Sequence, residues 1–120
     1  MDNLPANSDE KVITGSWGGE HIGFEAKDTG AEVDFDCAHG AINQRITLDK
    51  NGKFDVAGTY VLEHAGPVRA DETANSRTAD YTGFVKDKTM TLTVTLTGSK
   101  ELVGTFYLIR DARAKVMKCR

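Results

Sequence analysis

The chain has 120 residues and carries 15 Lys plus Arg against 18 Asp plus Glu, a formal net charge of −3. Leu, Ile, Val and Phe together number 26, enough for one modest core and too few for a two-domain enzyme. The charge balance lacks the basic footprint of a general nucleic-acid binder, and no apolar run approaches the roughly 18 residues that a membrane-spanning helix needs.

Residues 1–11 open on Met-Asp-Asn-Leu-Pro and stay polar, without the apolar stretch of a signal peptide. They read as a flexible segment ahead of a single domain over 12–120. From about residue 12 a two-residue alternation takes over. It is clearest at Thr89 to Thr97, where Met90, Leu92, Val94 and Leu96 face one way and five threonines the other. A helix of 100° period would scatter these residues around its axis, so the segment is a strand.

Turn signals cut the alternation into short strands. Asp28-Thr29-Gly30 separates 20–27 from 31–37, His39-Gly40 separates that strand from 42–50, and Asn51-Gly52 is the strongest hairpin signal. Asp87-Lys88 and Gly98-Ser99 close two more hairpins, and Asp111-Ala112 bends the chain before a last strand over 113–119. Residues 65–77, mostly polar and longer than a hairpin loop, read as a solvated insertion or a functional lid. Gly18-Gly19 reads as a bulge or kink.

Eight consecutive strands and no helix predict an all-β fold, a single up-and-down antiparallel barrel, because closure removes exposed edges. Charge points the same way. Residues 20–36 hold six acids and one base, while 110–120 hold five bases against Asp111. In a barrel the last strand lies beside the first, so the two segments meet.

Ile13-Thr14-Gly15-Ser16-Trp17 resembles the Gly-x-Trp opening of lipocalins and is similar to the opening of the avidin family. The resemblance implies a lipocalin-like barrel that holds a small, partly apolar ligand. It implies that Trp17 packs at the closed end near an Arg from the last strands, for which Arg110 is the candidate, and that a Cys37–Cys119 bridge ties the C-terminal region to the barrel. Trp17 is the only tryptophan, so the tryptophan-lined biotin pocket of avidins is missing. Strand directions, however, put His39, His64, both cysteines and the long loop at the Trp17 end, in conflict with a closed end there.

Hairpin geometry draws the three histidines toward one rim. A turn at Asp28-Thr29 sets His21 opposite Asp36 and beside Cys37. A two-residue turn at Asn51-Gly52 sets His39 across from His64, and strand parity points both inward. Three imidazoles suit Zn²⁺ with an open position for water, and Glu20 or Asp36 would serve as base or outer partner. Against this, His39 caps a turn and His64 hydrogen-bonds at a rim, since no HxH or HExxH is present. Cys37 and Cys119 read as a disulfide or as inert thiols, with Cys37 beside His39 or His21 as the nucleophilic alternative.

The first functional reading is therefore a barrel that binds a small, partly apolar molecule through Trp17, Tyr60, His64 and Arg110, or a partner through its rim. The alternative is a metal-assisted hydrolase of esters, lactones or phosphoesters using His21, His39 and His64. An interaction or inhibitor module would work through the 65–77 loop. A lone bridge suits an exported setting over a cytosolic one.

Overall fold

The computed structural model describes residues 11–63 and 76–117. The strands are β1 (Lys11–Val12), β2 (Gly15–Gly19), β3 (Ile22–Lys27), β4 (Gly30–Phe35) and β5 (Ala38–Ile42). They are followed by β6 (Thr47–Leu48), β7 (Lys53–Leu62), β8 (Ser76–Lys86), β9 (Thr89–Leu96) and β10 (Leu102–Arg110). β2–β5 and β7–β10 form a closed eight-stranded antiparallel barrel in up-and-down order, and β10 pairs with β2 to close it. No helix occurs among the described residues, and none is long and apolar enough to cross a membrane.

Alternation decides which side chains fill the barrel. Along β9, Met90, Leu92, Val94 and Leu96 are buried while the threonines between them face outward or are half-buried. The other strands add Trp17, Phe24, Val33, Phe35, Val56 and Tyr81, each below a tenth exposed. Their rings and branched chains occupy the interior, as small eight-stranded barrels allow.

One end is plugged. β1 pairs with β6 outside the barrel, the Ile13 N–H donates to the Ile46 carbonyl over 2.9 Å, and Ile13, Ile46 and Leu48 are buried beneath the strands. This corrects the expected strand over 42–50: Ile42 ends β5, and beyond it only Thr47–Leu48 is a strand, which does not join the barrel. The turn at Asn51-Gly52 is present, with Gly52 at φ 81°. Asp49 organises it by accepting the N–H groups of Asn51 and Lys53 at 2.8 and 3.0 Å, and these bonds hold its carboxyl below the usual carboxylate range. The turn leads into β7 without pairing β6 to it, so β5 meets β7 in a register of Ala38 with Leu62 and His39 with Val61.

Two further turns differ from expectation. Gly18-Gly19 is no bulge. The chain reverses just beyond it at Glu20-His21, with His21 at φ 70°, and Gly18 and Gly23 become register partners. Trp17 therefore lies toward the plugged end, and His21, Cys37 and His39 lie at the opposite end, contrary to the strand directions expected. The β4–β5 turn falls at Asp36-Cys37, Cys37 having φ 54°, instead of at His39-Gly40. Phe35 and Ala38 are thus partners on the inner face, and His39 points outward.

Over its described residues, 111–117, the tail after β10 is not the strand expected over 113–119. Asp111, at φ 65°, turns the chain back over the outer face of β2 and β3. Lys115 exchanges backbone hydrogen bonds with Gly19 and His21, and its ammonium pairs with Glu20 at 3.2 Å. The Cys37 N–H donates to the Met117 carbonyl, and the Met117 N–H donates to Asp36 Oδ1. Basic tail and acidic segment do meet, with the tail lying across the first strands.

Candidate functional site

At the end opposite the plug, the long strands β7–β10 rise past the short β2–β3 hairpin, whose β2 meets β10 only over Leu108–Arg110. Three aromatic rings pack together there. The Phe35 and Tyr60 centroids are 5.1 Å apart, and those of Phe35 and Phe106 are 5.6 Å apart. Tyr60 also borders a recess of about 300 Å³ lined by Leu62, Leu96, Leu102 and Val103, with Arg77 and Glu101 as its charged groups. Leu62 and Leu102 are 50% and 60% exposed, so the rim carries apolar surface that water covers. Burial raises the Tyr60 hydroxyl above the usual tyrosine range, which keeps it a neutral donor.

Arg77 was assigned to the 65–77 loop by its polar surroundings, yet it belongs to β8 and pairs directly with Tyr60. Its parity with the buried Ala79 and Tyr81 was the signal that places it at the mouth. His64 and residues 65–75 lie outside the described residues.

The outer rim of the same end holds the remaining histidines. His21 Nδ1 is 2.5 Å from Asp36 Oδ2, the pairing that the Asp28-Thr29 hairpin requires, and His39 Nδ1 is 2.8 Å from Glu63 Oε2. Both imidazoles are well exposed on the outside of the barrel. Glu63 is a partner that sequence reasoning missed, because the expected register of β5 against β7 was three positions away. Glu20 pairs with Lys115. Among the described residues no group of three His, Cys, Asp or Glu side chains is placed to hold a metal ion. Cys37 does not stand as a free thiol. Cys119 lies outside the described residues.

At the plugged end the Arg110 guanidinium carbon lies 5.8 Å from the centroid of the Trp17 ring, and Trp17 Nε1 donates to the Thr14 carbonyl at 3.3 Å. The four proposed ligand-binding residues are therefore divided. Trp17 and Arg110 mark one end, and Tyr60 the other.

The fold defines the class as a small closed up-and-down β-barrel, and the Trp17–Arg110 packing agrees with what the lipocalin resemblance implied. No family model matches the chain, and no curated protein or solved structure matches it.

Proposed function

We propose that the protein binds a small, partly apolar molecule in the recess between β7, β8, β9 and β10. The observation that carries this reading is the apolar mouth beside the Tyr60 ring, with exposed Leu62 and Leu102 at its rim. A volume of about 300 Å³ matches the lower end of small-molecule sites. Apolar surface left open to water is what a hydrophobic ligand body gains by covering, at about 25 cal/mol per Å². Arg77 stands at the same mouth as the group that would pair with an acidic head, and Glu101 beside it would accept from a donor. The tethered C-terminal segment and an exported setting are consistent with this role. The metal-assisted hydrolase finds no comparable support among the described residues, because His21 and His39 face outward and each is held by a carboxylate.

The test is titration with a dansyl-labelled fatty acid. Saturable binding by the whole chain, lost in Leu102→Glu and weakened in Arg77→Gln with unchanged thermal midpoints, supports the reading. Undiminished binding by Leu102→Glu, or none by the natural chain, overturns it.

A further inference from the structure

A second recess lies at the plugged end, between the β1–β6 ribbon and the turns that close the barrel. It measures about 390 Å³ and is bordered by Trp17, Arg110, Lys11, Lys50 and Asp87, with Val12, Leu48 and Val85 forming apolar wall. Lys11, Lys50 and Arg110 make no ion pair among the described residues. Two carboxylates also border the recess, Asp49 and Asp87. Asp49 accepts two N–H groups of its own turn and stays ionised, with Lys53 and Lys50 as its nearby cations.

The Arg110 guanidinium spends one face on the Trp17 ring, which leaves its N–H edge for an acceptor. Gly15 gives it room, because a Cβ there would lie 3.3 Å from Arg110 Nη2. Three cations against two carboxylates leave the cleft with a net positive charge beside an apolar wall, which favours an anion entering it. A planar oxyanion satisfies the guanidinium fork, and an attached carbon body covers the wall.

We infer that this basal recess, remote from the mouth and independent of the proposed ligand there, is a binding site for a small organic oxyanion, a phosphate or carboxylate on an apolar body. Arg110 holds the oxyanion, and Lys50 and Lys11 add attraction.

Trp17 is the only tryptophan of the chain, so its emission reports on this recess directly. The experiment titrates the whole protein with phenyl phosphate, with benzyl alcohol as the uncharged control. The expected result is a saturable change in Trp17 emission with phenyl phosphate and none with benzyl alcohol. Lys50→Ala, an exposed substitution, should weaken binding about tenfold, as loss of one charge-assisted contact does. Arg77→Gln at the other end should leave it unchanged. The inference is overturned if millimolar phenyl phosphate produces no saturable change, if benzyl alcohol produces the same one, if Lys50→Ala binds as the natural chain does, or if Arg77→Gln abolishes the response.

Discussion

Arg110 and Trp17 are register partners across the strand pair that closes the barrel, and the guanidinium carbon stands 5.8 Å from the centre of the indole ring. The contact joins the last barrel strand to the first where their shared ladder is only three residues long. Few backbone bonds hold that seam, so side-chain packing carries an unusual share of closure. We expect Arg110→Ala to lower stability by about 1 kcal/mol, the scale of a partly exposed cation–π contact with its aliphatic packing. Urea unfolding followed by Trp17 emission measures it, and an unchanged midpoint would show that the seam holds without this pair.

Gly18 and Gly23 face the tail from adjacent strands. A Cβ on Gly18 would fall 2.4 Å from the Ala112 carbonyl oxygen, and one on Gly23 would fall 2.7 Å from the Ala114 Cβ. The tail can lie flat there only because both side chains are missing. Gly23→Val should therefore lift the tail, cost about 1–3 kcal/mol as overpacking does, and speed amide exchange at His21 and Lys115. Unaltered exchange at those two amides would show that the tail tolerates the added bulk.

Much of this barrel was legible in local signals. The two-residue turn at Asp28-Thr29 fixes β3 against β4, and from it the His21–Asp36 pairing follows directly. The threonine alternation of β9 names its buried face. The misread turns lacked such markers. Glu20-His21 and Asp36-Cys37 use non-glycine residues at positive φ, and alternation on either side gives no hint of reversal. One hidden two-residue turn reverses the expected facing of every later residue in its strand, which is why His39 was expected inside. The excursion through Ile46 and Leu48 was hidden for a different reason, since a buried plug and a buried strand share the same apolar composition.

Tyr81 is fully buried and its hydroxyl donates to the Thr59 carbonyl over 2.5 Å. Desolvation, reinforced by the neighbouring Tyr60, pushes this phenol far above the ordinary tyrosine value. The unfolded chain loses that proton near the ordinary tyrosine value of about pH 10, while the folded chain keeps it. Tyr81 therefore contributes stability that is present below about pH 10 and lost as pH rises beyond it. Tyr81→Phe should cost about 1–2 kcal/mol at neutral pH through the unpaired Thr59 carbonyl. It should also flatten the alkaline fall, leaving the smaller part due to Tyr60. Denaturant midpoints across the alkaline range check both, and a fall of equal steepness in the variant would assign the transition elsewhere.

Met117 lies against Cys37, each donating or accepting a backbone bond at the β4–β5 turn, and only two positions separate Met117 from the other cysteine of the chain. We propose on that ground a Cys37–Cys119 bridge, which would close a loop of about 80 residues. On the chain-entropy account such a closure adds about 4–5 kcal/mol, a large share of the stability of so small a domain. The native chain should then show a mass lower by the two thiol hydrogens than its reduced form, and a linked tryptic peptide pair. Reduction, or Cys119→Ser, should lower the urea midpoint and speed exchange of the Cys37 and Met117 amides while the barrel amides stay protected. Two free thiols in the protein purified without reductant would remove the bridge and leave the Asp36, Cys37 and Met117 hydrogen bonds to hold the tail.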